Sequence, residues 1–147
     1  RNRSHLFIGF TACEPRMHAM ISDMRGKDRP LWEQESAEVI LAPPGAGPWR
    51  LLVNPGGERS DAEAVAGGAG WDSGWDGAWE VMTERMEDRW VAVFAIPFTL
   101  TGGPPRRGEE WRINFLRHRA NVEKEDSAWA RGYPARTGIQ TGTLQFR

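Results

Sequence analysis

Three closely spaced carboxylates, Glu33, Glu35 and Glu38, are the first candidates for chemistry in this chain. A glycosidase needs two carboxyl groups at a defined separation across a cleft, but nothing in the sequence places a partner opposite these three. Cys13 and His18 are close along the chain, yet no third residue is placed to orient them as a nucleophile and its base. We expect Cys13 to be a small buried side chain at a strand end. The sequence therefore predicts a protein that is not an enzyme.

Histidine and methionine give the next candidates, as ligands of a metal or of haem. The three histidines lack the spacing of zinc ligands, and the sequence contains neither a Gly-rich phosphate loop nor an Asp-rich calcium loop. We therefore predict no metal and no cofactor. Met17, His18 and Met20 form one local cluster that could supply an axial ligand to haem. The alternative is a loop or edge strand that uses these residues as filler.

Tryptophan is the outlier in composition, with 8 Trp against 1 Tyr. A sugar ring presents a flat C–H face that can stack on an indole, but indoles also fill the cores of sandwiches. The chain has 147 residues, a formal net charge of −1 and 1 Cys, which fits a single domain without an internal disulfide. A nearly neutral chain has no general attraction to nucleic acid. No apolar run is long enough to span a membrane.

Alternating and β-rich runs predict the strands that must position these side chains. A tight hairpin is expected at Asp88, and one helical turn between Trp32 and Ala37. Short strands punctuated by Gly and Pro predict an all-β antiparallel sandwich, jelly-roll or immunoglobulin-like, in a single domain with two long loops, 56–77 and 120–141. The seven predicted strands are 5–12, 38–42, 49–54, 78–86, 90–96, 111–118 and 142–146.

Side-chain alternation places polar residues of three predicted strands on one face of the sheet. This face is either a solvated outer surface, which antiparallel sheets commonly have, or a shallow platform for a ligand. Its members are Glu38, Arg50, Asn54, Asn114 and His118, with Leu52 and Leu116 among them.

Five phrases follow one another along the chain in a characteristic order. They are 30–41 (PLWEQESAEVIL), 53–55 (VNP), 88–98 (DRW running into AIPF), 111–119 (WRINF with Arg117 and Arg119 behind it) and 142–144 (GTL). In this order they resemble the family 9 carbohydrate-binding modules and their wider relatives, over residues 5 to 146. The resemblance implies a carbohydrate-binding-like β-sandwich spanning residues 1–147.

The resemblance also implies a function and a setting. Such a module would be non-catalytic and extracellular or periplasmic, and it would bind a poly- or oligosaccharide beside a partner domain or host enzyme. Family members usually open with a segment that contains an Asp-Gly turn and a Trp, and we expect either that this chain is a fragment or that the domain lacks those opening strands. Residues 5–12 should then border an open or differently filled sheet position.

Family roles can be carried over to individual residues. In sugar-binding members the Trp matching Trp32 stacks on the sugar, and the residues matching Glu38 and Asn54 bind its hydroxyls. The family's binding Arg and Gln fall at Leu52 and Leu116, which predicts weak binding of simple gluco- or xylo-oligosaccharides. A second stacking Trp has no clear counterpart, although Trp129 or Tyr133 could substitute. The candidate ligand-binding residues are Trp32, Glu38, Arg50, Asn54, Asn114 and Trp129.

Structural interpretations of the same residues remain open at this point. Trp32 could cap the edge of the sandwich, and the polar candidates could be hydrogen-bonding residues at sheet ends. Arg117 and Arg119 are expected to pair with nearby carboxylates. Residues 71–75 are either a loop anchored in the core or a second aromatic platform. The alternative function is a haem-binding or protein-interaction sandwich domain of a larger redox or surface protein.

Overall fold

The computed structural model describes residues 4–22, 30–66, 70–121, 124–130 and 140–147. All seven predicted strands are present, with bounds that differ by no more than two residues. The helical turn expected between Trp32 and Ala37 is a 3-10 turn that lies earlier, at Leu31–Glu33, because Ser36 and Ala37 already belong to a strand; a second 3-10 turn is formed by Met17–Ala19. Neither described turn approaches the length and hydropathy of a membrane-spanning helix. The strands are β1 His5–Cys13, β2 Ser36–Ala42, β3 Trp49–Val53, β4 Arg59–Ala64, β5 Trp71–Asp72, β6 Glu80–Arg85, β7 Arg89–Pro97, β8 Glu110–Ala120, β9 Lys124–Ala128 and β10 Gly142–Gln145.

The strands form two antiparallel sheets arranged as a sandwich. The small sheet has the order β1-β7-β6, and the large sheet has the order β10-β8-β2-β3-β4-β5. Strand β9 also pairs with β8. It does so farther along the strand than β10, which pairs with the first residues of β8. The all-β sandwich prediction is therefore confirmed.

The core between the sheets is built from the apolar side of each alternating strand. In β2, β3 and β7 every second residue is part of this core, as the period of two predicts. Four buried indoles also need a hydrogen-bond acceptor, because an unpaired buried N–H destabilises the fold. Each has a carboxylate: Trp49 donates to Glu63, Trp79 to Asp61, Trp90 to Glu35 and Trp111 to Glu109.

The two segments predicted as long loops contain three short strands, which corrects that prediction. Strands β4 and β5 lie within 56–77, and β9 lies within 120–141. The inward residues of β4 are charged rather than apolar, since Asp61 pairs with Leu51 and Glu63 with Trp49 in the register. Their carboxylates accept the indole bonds described above. A strand whose inward side is acidic does not show the alternation from which strands are predicted.

Strand β1 is an edge strand, because among the described residues it pairs only with β7. The backbone N–H of Glu14 donates to Asp88, and that of Phe98 donates to Ser4. Backbone hydrogen bonds between antiparallel strands alternate along each strand. The backbone N–H and C=O groups of the even-numbered residues of β1 therefore bond to β7, and those of the odd-numbered residues point to the other side of β1. Within the described ranges no second strand pairs with β1, which agrees with the expectation for residues 5–12.

Two further predictions concern the region after β1. Cys13 is exposed, so the prediction of a buried thiol is wrong. The side chains of β1 alternate between the two sides of the sheet, and Cys13 lies on the outer side while its neighbour Ala12 is buried. Met17 and Met20 are partly buried against the core, and His18 is exposed. This arrangement matches the interpretation of the cluster as filler.

Candidate ligand-binding site

The outer face of the large sheet is a second buried layer, and not the solvated face or open platform that alternation suggested. Ile40, Leu52 and Leu116 share this face by register and are 1%, 2% and 1% exposed. The 3-10 turn Leu31–Glu33 contacts β3 and β8, the two neighbours of β2, and its Leu31 is buried. The turn therefore packs on this face, where its Trp32 lies beside Arg50. Sequence alternation identifies the face but cannot show that a preceding turn folds over it.

This burial corrects the role predicted for the two leucines. Leu52 and Leu116 flank Glu38 in the register and have no exposed surface to present to a sugar. Replacing Leu52 with Arg and Leu116 with Gln would bury polar groups in a packed layer, which destabilises the fold. The two substitutions therefore do not restore a binding site here.

Asn54 and Asn114 are bound within the fold. Asn54 is 1% exposed; its side-chain oxygen accepts from the backbone of Gly56 and Glu58, and its amide nitrogen lies 2.9 Å from a Glu58 carboxylate oxygen. Asn114 is 0% exposed, donates to the Gln140 carbonyl and accepts from the backbone of Ala130. The first side chain stabilises the turn between β3 and β4, and the second attaches the chain near β9 and β10 to β8.

Glu38 is the centre of a polar row that crosses the outer face. Both of its oxygens accept from Arg50, at 2.7 and 3.1 Å, in a bidentate pair. One oxygen also lies 2.8 Å from Nε2 of His118, whose Nδ1 lies 2.8 Å from the Asp126 carboxylate. Glu38 is 1% exposed and His118 2% exposed, whereas Asp126 is exposed. The row holds the Arg50 guanidinium in place from behind.

Burial and hydrogen bonding oppose each other in setting the pKa values of this row. Burial alone would raise the pKa of Glu38, but hydrogen bonds from His118 and Arg50 outweigh it and leave that pKa below 4.5. Burial likewise would lower the pKa of His118, but the Glu38 and Asp126 carboxylates hold it above 6.5. Both shifts favour the charged forms, as expected for an ion pair that is hydrogen-bonded throughout.

Alkaline pH should weaken the fold through His118. Because its pKa is raised in the folded state, its stabilising contribution is complete below about pH 6.5 and is lost as the pH rises through the folded pKa. The difference in free energy of unfolding between wild type and His118→Gln should therefore shrink at higher pH, measured by denaturant titration. His18→Gln, which changes an exposed histidine, should show no such trend. A difference in free energy of unfolding between wild type and His118→Gln that stays constant with pH would contradict the raised pKa of His118.

Two indoles lie against the outer end of this row. The Cζ atom of Arg50 is 5.3 Å from the ring centroid of Trp32 and 5.2 Å from that of Trp71, both within the range of a cation–π contact. Trp32 is 47% exposed and Trp71 is partly exposed. Trp71 pairs with Ala64 in the register and so shares the outer face with Arg50. Two aromatic surfaces and one guanidinium thus meet at this position.

Trp129 lies elsewhere, although it is 58% exposed. Its ring contacts Phe115 edge-on, with centroids 5.7 Å apart. A Cβ added at Gly142 would meet the same ring. Phe115 and Gly142 have the register of the inward side of the large sheet, opposite to that of Arg50. The structure therefore does not bring Trp129 together with Trp32, and Tyr133 lies outside the described residues.

Residues 71–75 combine the two roles considered for them. Trp75 stacks on Trp49 with centroids 5.6 Å apart and packs against the core, as an anchor would. Trp71 instead lies beside Arg50 and contributes to the site. Sequence reasoning omitted Trp71 from the candidate residues because β5, a strand of two residues, gives no alternation from which to assign its face.

A second charged cluster is buried on the inward side and connects the two sheets. Glu14 and Glu35 are both 0% exposed. Arg119 donates to Glu14 at 2.6 Å, and Arg117 donates to Glu35 at 2.8 Å, which confirms the expected pairing of both arginines. The indole of Trp90 also donates to Glu35. Glu35 therefore faces the core while Glu38 faces outward, so the two cannot act together across one cleft.

Comparisons with known proteins give structural neighbours only: no family model matches the sequence, and no curated protein matches it. A family 9 carbohydrate-binding module from Caldicellulosiruptor kristjanssonii, solved with glucose, is 12% identical with a TM-score of 0.72, over 100% of this chain and 73% of that one. A family 9 carbohydrate-binding module from the same organism, solved with cellotriose, is 12% identical with a TM-score of 0.58, over 87% of this chain and 59% of that one.

A candidate carbohydrate-binding protein from Bacteroides uniformis is also similar, with 14% identity and a TM-score of 0.62 over 97% of this chain and 72% of that one. Identities this low establish a shared architecture rather than a shared activity. The three superpositions cover 97%, 100% and 87% of this chain. The chain has the β-sandwich fold of the family 9 carbohydrate-binding modules.

Proposed function

We propose that this protein is a non-catalytic module that binds a saccharide at the surface formed by Trp32, Arg50 and Trp71. The observation that carries the proposal is the placement of the exposed Trp32 indole and the partly exposed Trp71 indole against one fixed guanidinium. Four other indoles donate to carboxylates, whereas those of Trp32 and Trp71 donate to no described residue. Partly exposed indoles held in place are suited to stacking on the C–H face of a sugar ring.

The fold supports the same proposal, because the neighbours solved with glucose and cellotriose are binding modules. We propose a single domain over residues 1–147, in an extracellular or periplasmic setting and beside a partner domain or host enzyme.

The proposed absence of catalysis rests on two carboxylates, Glu35 and Glu38. Glu38 is hydrogen-bonded to Arg50 and His118, Glu35 is hydrogen-bonded to Arg117, Trp90 and Ala120, and the two face opposite sides of the sheet.

The site differs from the one inferred from the sequence. Trp32 and Arg50 remain as surfaces for the ligand, and Trp71 joins them. Glu38 acts behind Arg50 instead of touching the sugar. Asn54 and Asn114 stabilise the fold around the site, and Trp129 becomes a control position.

Removing either indole of the site should weaken retention on a glycan array. Loss of one stacking aromatic weakens binding by about 1–3 kcal/mol, so we expect Trp32→Ala and Trp71→Ala each to lose about tenfold or more in affinity. Melting temperatures should change little for Trp32→Ala, because its side chain is half exposed. Trp129→Ala is the matched control, since it removes another exposed indole whose contacts lie on the other side of the large sheet from Arg50.

Two outcomes would contradict this assignment. Loss of glycan retention in Trp129→Ala with none in Trp32→Ala would move the site to the other side of the sheet. A large loss of stability in Trp32→Ala with unchanged retention would make Trp32 a structural residue. Failure of the wild-type protein to bind any glycan on the array would refute the proposed function itself.

A further inference from the structure

The three residues that form the site, Trp32, Arg50 and Trp71, have side chains that can only donate hydrogen bonds. A neutral sugar offers hydroxyl groups, which bind best where a site supplies both donors and acceptors. Glu38 is the natural acceptor at this site, but its two oxygens accept from Arg50 and His118 and it is 1% exposed. It is therefore not available to accept from a sugar hydroxyl.

The nearby amides do not supply the missing acceptor. The side-chain oxygen of Asn54 accepts two backbone N–H groups, and that of Asn114 also accepts two. Both side chains are at most 1% exposed. Glu33 follows Trp32 in the chain and is exposed, but it forms no ion pair with Arg50.

The donors that remain are concentrated at one point. Glu38 occupies Nε and Nη2 of Arg50, whereas Nη1 makes no hydrogen bond within the described part of the chain. A guanidinium has five N–H donors, so its outer end keeps a fork of two nitrogens that matches a carboxylate. The Trp32 and Trp71 rings lie beside this fork. A ligand with an anionic group next to a sugar ring would use the fork and the indoles together.

We propose that the saccharide bound at this site is an acidic one, whose carboxylate or sulfate group binds the outer end of Arg50 while its ring stacks on Trp32 or Trp71. The inference rests on the proposed function and specifies its ligand. The negative charge of Glu38 lies behind the guanidinium and is shared with His118. The group that meets the ligand is thus a cation held rigidly between two apolar surfaces.

A pair of ligands that differ only in whether their carboxyl groups are ionised or esterified tests the proposal on the unmodified protein. Calorimetry would compare trigalacturonic acid with its methyl ester, and cellotriose would serve as a neutral reference. The free acid should bind about tenfold or more tightly than the ester, as a charge-assisted bidentate bond predicts. Its affinity should fall between about 0.05 and 0.5 M NaCl, while that of the ester should not. A sulfated disaccharide in parallel distinguishes sulfate from carboxylate as the preferred anion.

Variants add a second readout. Arg50→Lys keeps the charge but loses the fork, and should reduce the preference for acid over ester by about tenfold. Glu33→Gln should leave binding of the acid unchanged or strengthen it, because it removes an exposed negative charge beside the site. Weaker binding in Glu33→Gln would identify Glu33 as an acceptor for sugar hydroxyls and would overturn the proposal.

The outcomes separate the two levels of inference. Equal affinity for acid and ester, or tighter binding of cellotriose, with binding still lost in Trp32→Ala, would overturn the acidic ligand and leave saccharide binding intact. Absence of binding to every saccharide tested would overturn both. If Arg50→Lys does not fold, the comparison of acid and ester still decides the question.

Discussion

Replacing Glu35 with Ala is expected to lower the free energy of unfolding by about 3–5 kcal/mol, the range for breaking a buried ion pair by removing one partner. Glu35 is 0% exposed and accepts from the indole of Trp90, the guanidinium of Arg117 and the backbone N–H of Ala120. The substitution leaves two buried N–H groups unsatisfied and removes the nearest anion from a partly buried cation. Chemical denaturation at neutral pH measures the loss.

The exposed ion pair between Asp88 and Arg89 provides the matched control. Its bonds are as short as those at Glu35, at 2.7 and 2.8 Å, but both side chains are in contact with water. Exposed pairs contribute little because solvent screens them, so Asp88→Ala should leave the unfolding midpoint almost unchanged. A loss at Glu35 no larger than the loss at Asp88 would show that water enters the cluster and replaces the carboxylate.

The strands that were predicted correctly are those whose inward side is apolar. Alternation is a direct consequence of placing one face of a strand on a core, so β3, β7 and β8 could be located to within two residues. Strand β4 was missed because its inward Asp61 and Glu63 serve buried indoles. Predicting it would have required knowing in advance which tryptophans lie across from it.

The site was harder to predict than the fold, because its members are brought together by register between distant strands. Glu38 and His118 are 80 residues apart and still lie within hydrogen-bond distance. The family resemblance correctly drew attention to Trp32, which is exposed beside Arg50. It could not reveal that Glu38 is occupied by Arg50, since this depends on a packing arrangement and not on the presence of either residue.

Glu14 should keep its own contribution to the free energy of unfolding down to about pH 2. Hydrogen bonds from Arg119 lower the pKa of Glu14 most, and despite the opposing effect of burial it falls from 4.5 to about 2. A lowered folded pKa means that the stabilisation is complete above pH 4.5 and is lost as the pH falls through about 2. The difference between these pKa values corresponds to about 3 kcal/mol at neutral pH.

The measurement is the free energy of unfolding of wild type and Glu14→Gln across this pH range. The variant should be less stable at neutral pH, because Arg119 and Asn121 lose a charged acceptor, and the two curves should converge as the pH approaches about 2, where Glu14 gains a proton. Glu84→Gln, at an exposed position on β6, should follow the wild-type curve throughout. Curves for wild type and Glu14→Gln that stay parallel would mean that Glu14 titrates alike in the folded and unfolded chains. Its hydrogen bonds to Arg119 would then contribute nothing specific to the ionised form.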